Sequence, residues 1–221
     1  MAVKTSNALS DSLQHFASIP ECAAMLQMPG IALGRSNRDP RQLPEGCPPS
    51  RDQFFKHLMD NDQAVPHLLV LYQDPFFFDG AGAASDPPDL PFLVRSVSVL
   101  FDLRAGLNGW NGTVHGGFIA AMMDEAMGTL IFQNNVCNLE AKSESLIPSS
   151  AKDFANVAHV TGRMEVSYRQ PLPSPRVVVV TAALDRIEGR KVKIKVVVKD
   201  LKGLQYATGD GTWISVPKGK L

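Results

Sequence analysis

The sequence predicts an α+β fold in which an antiparallel β-sheet packs around one long helix. Residues 118–132 form an apolar segment of helical length, and a strictly alternating segment precedes it at 94–104. Several further strand-like segments follow, separated by short glycine-containing turns. Strands that follow one another without intervening helices are typical of antiparallel sheets. The 221 residues are enough for one sizeable domain, with little left over for a second core.

Residues 1–90 are predicted to be an extension that packs on a domain formed by residues 91–217. Apolar side chains at helical spacing between residues 11 and 28 predict a helix that Pro20 interrupts. Because residues 1–48 are rich in proline and weakly patterned, we expect them to be dispensable for folding.

Phenylalanines are concentrated in the second half of this extension, at positions 54, 55 and 76–78. They leave two interpretations open. In the first they only pack against the domain. In the second they form a lid or wall beside an apolar ligand pocket, since exposed phenylalanines would otherwise favour aggregation.

The strands of the domain are predicted from alternating side chains. In Val94–Arg104, Val97, Val99 and Phe101 share one face, and serines and charged residues share the other, which indicates a half-buried strand. Glycine-containing pairs at 188–189 and 202–203 predict hairpin turns. Four later strands are expected at 157–168, 176–184, 191–199 and 204–216, the last bent at Gly209 and Gly211.

The predicted helix is apolar around most of its circumference, which is typical of a buried helix. Its only charges between Phe118 and Phe132 are the adjacent carboxylates Asp124 and Glu125. A carboxylate in such surroundings is expected to be paired, hydrogen-bonded or functional, because desolvating it alone is costly. Residues 134–156 lose this periodicity and are predicted to form a long loop.

The helix is expected to begin at His115-Gly116-Gly117, directly after a strand. The first backbone N–H groups of a helix have no acceptor within the helix. Together with the positive end of the helix dipole, these donors can stabilise a developing oxyanion. The sequence therefore predicts an anion-stabilising corner at the start of the buried helix.

Composition excludes several classes of function. The 22 basic and 22 acidic residues give a formal net charge of zero, so binding to nucleic acid or to an anionic membrane is not expected. No segment is long and apolar enough to predict a transmembrane helix. Three scattered cysteines do not form a disulfide framework or a zinc motif, so we expect a cytoplasmic protein without a metal or redox cofactor.

The run Gly112-Thr-Val-His115-Gly-Gly117, with Asp124 nine residues after the histidine, resembles the hotdog-fold thioesterases of the phenylacetate and acyl-CoA type. The resemblance continues through Thr161 and Tyr168 and covers roughly residues 92–217. The long lead-in is most similar to the fungal members. In that family an antiparallel sheet wraps around one central helix, and the resemblance implies the same fold here.

The resemblance also implies an activity and a set of roles. The substrate would be an acyl thioester of coenzyme A or of a carrier protein, and the active form a dimer or a dimer of dimers. Asp124 would be the general base toward water, or a nucleophile. The Gly116 N–H would stabilise the oxyanion, while Thr161 and His115 would orient the reacting groups. Gly117 would serve the turn and the substrate-binding surface.

One position departs from the family pattern. Family members often carry an asparagine or glutamine six residues before the histidine, where this chain has Gly109. Asn108 and Asn111 flank it and are candidates for the missing substrate-binding amide. Glu125 is expected to be a structural or rim charge near the substrate, and is the alternative to Asp124 as catalytic carboxylate.

Other functions remain open at this stage. A hotdog hydratase or dehydratase would act on the same thioesters, although its usual aspartate–histidine pair is not found. A non-catalytic hotdog partner in a biosynthetic pathway would keep the fold without the reaction. The alternating lysines 191, 193 and 195, with Arg186 and Arg190, favour a solvated strand face, or alternatively a surface for coenzyme A phosphates.

Overall fold

The computed structural model describes residues 8–36, 53–77, 93–144 and 157–217. Its helices are α1 (Ala8–Ala17), α2 (Pro20–Leu26) and α3 (Gly116–Ser143), with a π-helical turn at Phe54–Leu58 and a 3-10 turn at Ala105–Leu107. Its strands are β1 (Ile31–Leu33), β2 (Leu68–Gln73), β3 (Ser96–Leu103), β4 (Asn108–Trp110), β5 (Thr113–Val114), β6 (Val157–Tyr168), β7 (Arg176–Glu188), β8 (Lys191–Asp200) and β9 (Gln205–Pro217).

Seven of these strands form one antiparallel sheet in the order β1-β2-β3-β7-β8-β9-β6, and β4 and β5 form a small hairpin beside it. The inner face of the large sheet packs on α3, whose side chains at Met122, Met123, Met127 and Leu130 have no exposed surface. The predicted α+β class, with an antiparallel sheet wrapped around one long helix, is confirmed. All five strands predicted between residues 94 and 216 are present.

Two glycines in β9 allow α3 to approach the sheet closely. A Cβ at Gly209 would lie 2.7 Å from Cε of Met123, and one at Gly211 would lie 2.2 Å from Sδ of Met127. Side chains there would therefore take the space that these two methionines occupy. The methionines fill the core at these points, as flexible side chains often do.

The central helix is longer than its apolar pattern predicts. The loop predicted at 134–156 is wrong for its first part, because α3 continues to Ser143. Residues 145–156 lie outside the described ranges. The part of the helix beyond the apolar segment contains polar residues that are buried. Asn134 accepts the backbone N–H of Val94 and donates to its C=O, both at 2.9 Å. Buried amides that pair with backbone break the hydrophobic period without ending the helix.

The N-terminal segment covers the outer face of the sheet, opposite α3. Phe16 and Cys22 are fully buried there against Leu69, Leu71 and Leu100. Strands β1 and β2 extend the sheet itself beyond β3. The helical pattern predicted for residues 11–28, with its interruption at Pro20, is confirmed by α1 and α2.

Phenylalanines of the extension also reach the inner core. The Phe55 ring packs between Phe101 and Phe118, with ring centroids 6.1 and 6.0 Å away. Phe76 packs at the edge of the same core, whereas Phe77 is 45% exposed. Phe78 lies outside the described residues.

Candidate active site

The start of α3 is organised by His115, which caps the helix. Its Nδ1 accepts the N–H of Gly117 at 2.9 Å, and its carbonyl oxygen accepts the N–H groups of Phe118 and Ile119 at 2.9 and 3.1 Å. Three of the first four helix donors are thereby satisfied by one residue. In the described part of the chain, no acceptor takes the fourth donor, the N–H of Gly116. This donor is therefore available to a ligand at the positive end of the helix dipole.

Gly109 is explained by the position of His115. A Cβ at Gly109 would lie 2.7 Å from Cδ2 and 2.9 Å from Cα of His115. A side-chain amide at this position would therefore displace the capping histidine. Of the two flanking candidates, Asn108 accepts a short hydrogen bond from the Ser174 hydroxyl, and Asn111 is exposed in the β4–β5 turn.

Tyr168 fixes the helix start from the end of β6. Its hydroxyl donates to the carbonyl oxygen of Gly116 at 2.8 Å. Its ring lies 3.5 Å from the position that a Gly116 Cβ would occupy, an ordinary contact distance. No role was predicted for Tyr168 from the sequence. A tyrosine hydroxyl whose partner is a backbone carbonyl has no signature in residue spacing.

Asp124 lies two helical turns further along α3 and pairs with Thr161. The Thr161 hydroxyl donates to Oδ1 of Asp124 at 2.7 Å. The carboxylate is half-buried, and this desolvation raises the pKa of Asp124, while the hydrogen bond from Thr161 opposes the rise. Desolvation is the larger effect. A carboxylate that is poorly solvated yet oriented by one donor has the properties of a general base.

A β-bulge directs Thr161 toward the helix. Thr161 pairs with Trp213, but Arg163 pairs with Thr212, so β6 has one extra residue at Gly162. Paired residues share a face, and neighbours on β9 alternate, so Thr161 and Arg163 lie on opposite faces. Strict strand alternation predicts Thr161 on one polar face with Arg163, Glu165 and Ser167. That was wrong, because strict alternation does not hold across a bulge.

The two halves of the predicted site lie apart within one chain. Helix α3 is continuous from Gly116 to Ser143. At 1.5 Å per residue, the eight residues from Gly116 to Asp124 span about 12 Å along the axis. Glu125 is half-buried on the same helix, but the Thr161 hydroxyl bonds to Asp124. The structure thus brings together Asp124 with Thr161, and separately His115 with Gly116 and Gly117.

Trp213 is a second residue that the sequence analysis missed. It is the cross-strand neighbour of Thr161, and its ring packs against Gly128, four residues after Asp124. The signal in the sequence was indirect. A glycine in a buried helix, one turn after a candidate catalytic carboxylate, indicates that a bulky group approaches the helix there.

The alternating lysines lie on the outer face of the sheet, where carboxylates accompany them. Lys195 lies 3.7 Å from Asp210 and 4.0 Å from Asp185, and Lys193 donates to the Thr212 hydroxyl at 2.9 Å. Arg186 pairs with Asp185 and Glu188. These contacts favour the solvated strand face over a phosphate-binding surface.

Among the described residues, one potential group of metal ligands comes together, and it does not include Asp124. Ligand atoms of His15, His67 and Asp102 lie within 4.8 Å of one another. However, Arg104 already donates to Oδ2 of Asp102 at 2.6 Å, and the two imidazole rings stack with centroids 4.0 Å apart. Stacked rings direct their nitrogen lone pairs in parallel rather than toward one ion. The group fits an ion-paired attachment of α1 to β3 better than a metal centre.

Comparison with known proteins finds one family model that matches part of the chain. Residues 111–207 match the family model described as the thioesterase superfamily. The matched range holds the His115–Gly117 corner, Asp124 and Thr161. This part of the chain is therefore similar to the thioesterase superfamily.

Two relatives illustrate how far the similarity extends. Verlamelin biosynthesis protein B of Lecanicillium sp is 26% identical over 216 residues, covering 91% of this chain and 87% of that protein. The mouse acyl-coenzyme A thioesterase THEM4 is 30% identical over 107 residues. That match covers 48% of this chain and only 36% of the mouse protein, so it concerns only part of each protein.

Solved structures resemble the domain at low identity. A hypothetical thioesterase from Streptococcus pneumoniae with coenzyme A has a TM-score of 0.44 and 12% identity, covering 56% of this chain and 80% of that one. The E. coli PaaI protein from the phenylacetic acid degradation operon has a TM-score of 0.43 and 12% identity, covering 55% and 72%. Among the described residues of the chain, no helix is both long enough and apolar enough to span a membrane.

Proposed function

We propose that this protein hydrolyses acyl thioesters to a free acid and a thiol, with Asp124 as general base. The observation that carries the proposal is the hydrogen bond from Thr161 to Asp124, which orients a half-buried carboxylate whose pKa is raised by desolvation. The similarity of residues 111–207 to the thioesterase superfamily supports the same reaction.

The chemistry follows from the donors and acceptors at hand. Thr161 occupies Oδ1 of Asp124, which leaves Oδ2 to accept a proton from water. As water attacks the thioester carbonyl carbon, the carbonyl oxygen gains negative charge and accepts the Gly116 N–H. The tetrahedral intermediate collapses, the carbon–sulfur bond breaks, and the thiolate leaves. Asp124 returns its proton to the departing thiolate or to solvent, which restores the base.

We propose that each site is shared between two chains. A carbonyl oxygen bound to the Gly116 N–H lies about 3 Å from that nitrogen, and the attacking water must lie about 3–3.5 Å from the carbonyl carbon. Along one continuous helix, the two groups are separated by about 12 Å. Two copies related by a two-fold axis, with antiparallel central helices, would place Gly116 of one near Asp124 of the other. The active form is then a dimer or a dimer of dimers.

The substrate class is an acyl thioester of coenzyme A or of a carrier protein. The mouse relative is described as an acyl-coenzyme A thioesterase, and the fungal relative as a biosynthesis protein. The first description favours coenzyme A and the second leaves room for a carrier. The neutral net charge and scattered cysteines favour action in the cytoplasm.

A free-thiol assay tests this proposal. The full chain is incubated with short, long and aromatic acyl thioesters of coenzyme A and of a carrier protein, and released thiol is measured with a chromogenic reagent. We expect hydrolysis of at least one class, and a loss of a hundredfold or more in Asp124→Asn. Glu125→Gln is the matched control and should retain turnover. Absence of released thiol with every substrate would overturn the proposal, and water addition to an enoyl thioester would indicate a hydratase.

A further inference from the structure

Trp213 contacts the central helix one turn beyond Asp124. A Cβ at Gly128 would lie 3.1 Å from Cη2 and 3.7 Å from Cζ2 of Trp213, so the six-membered edge of the indole rests on the helix backbone. Four residues separate Gly128 from Asp124, a rise of about 6 Å. Even an alanine at 128 would require the ring or the helix to shift by a few tenths of an ångström.

Trp213 also lies beside Thr161, the partner of Asp124. Trp213 and Thr161 are cross-strand partners on the face of the sheet that meets α3. Thr161 contacts Asp124 and Trp213 contacts Gly128, so the two strands touch two successive turns of one helical stripe. The bulge at Gly162 follows immediately and shifts the pairing of the rest of β6 with β9 by one residue.

We propose that Trp213 is a positioning residue for the thioesterase reaction: it sets the distance between α3 and the sheet at the Asp124–Thr161 hydrogen bond and excludes water from the inner side of the carboxylate. This inference rests on the proposed function. It assigns Trp213 no contact with the reacting atoms.

The indole N–H supports a role based on the ring. Within the described part of the chain, Nε1 of Trp213 is buried without a hydrogen-bond partner. A buried unpaired donor is unfavourable, so the N–H is not what holds this side chain in place. Replacing Trp213 with phenylalanine therefore removes no hydrogen bond and keeps an aromatic ring, whereas alanine opens the space above Gly128.

Fluorescence gives a readout that needs no substrate. The chain has two tryptophans, and Trp110 is 81% exposed, so Trp110→Phe leaves Trp213 as the single reporter. Indole emission responds to a charge that appears nearby. We expect the emission of Trp110→Phe to change with pH as Asp124 ionises, and the change to disappear in Trp110→Phe/Asp124→Asn. Emission that is flat with pH, or a transition that persists without Asp124, would overturn the proposal.

Kinetics test the positioning role. We expect Trp213→Ala to lower kcat about tenfold or more, because small displacements of catalytic groups have large effects. KM should change less, and the acid limb of the pH–rate profile should move to lower pH as water reaches Asp124. Trp213→Phe should stay within about threefold of the parent. Leu139→Ala, an exposed position further along the same helix, is the control.

A purely structural role predicts a different pattern. In that case Trp213→Ala would lower Tm while leaving kcat and the acid limb unchanged, and the proposal would be overturned. Gly128→Ala approaches the same contact from the helix side and should lower kcat by a smaller factor, because the ring must shift by only a few tenths of an ångström. If the chain hydrolyses no thioester but the fluorescence titration depends on Asp124, the proposed function fails while the packing relationship stands.

Discussion

The hydroxyl of Thr161 donates to Oδ1 of Asp124 at 2.7 Å, joining the edge strand β6 to the central helix. The threonine reaches the helix only because a bulge at the next residue separates it from the outward-facing register of β6. Bulges often redirect a side chain beside a functional site. The catalytic properties proposed for Asp124 thus depend on one extra residue in a neighbouring strand.

Asp124→Asn should stabilise the fold at neutral pH. Burial raises the pKa of Asp124, so the native state binds the proton more tightly than the unfolded chain. The free energy of unfolding therefore falls as pH rises from the unfolded pKa, about 3.9, through the higher native value. Above that window the ionised carboxylate is a desolvation cost that asparagine removes. Thermal unfolding at pH 7 should show a higher Tm, and the gain should vanish below about pH 4.

The control for this measurement is Asp210→Asn, an exposed carboxylate on the outer face of the sheet. It should leave Tm nearly unchanged at both pH values. Equal Tm values for Asp124→Asn and the parent at pH 7 would show that the Asp124 carboxylate is not desolvated in solution.

Thr161→Val should lower kcat and move the acid limb of the pH–rate profile to higher pH. The hydroxyl stabilises the ionised form of Asp124, so its loss lets desolvation raise the pKa of Asp124 further. Because the base must be ionised to act, more of the enzyme is inactive at mildly acidic pH. KM should change less than kcat. Thr161→Ser retains the hydroxyl and should restore both the rate and the position of the limb.

The residues of the candidate site were predicted from the sequence, but the face on which Thr161 lies was not. The chain position of Asp124, the helix corner at His115 and the contribution of Thr161 all followed from motif resemblance. The face on which Thr161 lies could not be predicted, because the alternation of side chains in the sequence does not reveal a one-residue bulge. The length of α3 was underestimated for a related reason. Asn134 is buried by pairing with the backbone of Val94, and a polar residue at such a position reads as a loop.

Gly109→Asn should impair the enzyme rather than restore the family pattern. The added Cβ would meet His115 at its ring and backbone, so the capping bond from Gly117 N–H to Nδ1 should be disturbed. We expect a loss of about tenfold or more in kcat/KM, because the Gly116 N–H, the proposed oxyanion donor, moves with the helix start. Gly189→Asn is the control, since its Cβ would meet no atom within 4 Å and asparagine is among the residues that best adopt the positive φ of 58° found there. Increased activity of Gly109→Asn would indicate that the amide is accommodated and used.

Removing the N-terminal helices should destabilise the protein, contrary to the expectation from their weak sequence pattern. Phe16 and Cys22 cover Leu69 and Leu100 on the outer face of the sheet, and all four are fully buried. Phe16→Ala should lower the free energy of unfolding by about 3–5 kcal/mol. Met28→Ala, at a position 54% exposed, should have little effect. A truncated chain lacking residues 1–30 with unchanged Tm would show that the outer core is dispensable.

Complementation between two inactive variants should test whether each site is shared by two chains. Gly116→Pro removes the N–H, and the backbone should tolerate it: proline is favoured at the first position of a helix. The preceding residue, His115, already has the extended conformation that proline requires, with φ −60° and ψ 131°. Gly116→Ala keeps the N–H and places its Cβ 3.5 Å from the Tyr168 ring, so it should remain active.

In a mixed dimer of Gly116→Pro and Asp124→Asn chains, one of the two sites receives both defects and the other receives neither. We therefore expect mixing and re-association to restore up to about half of the parent activity per heterodimer, since a two-fold interface forms two composite sites. Heterodimers verified by differential tagging that remain inactive, or a monomer with full turnover, would contradict the shared site.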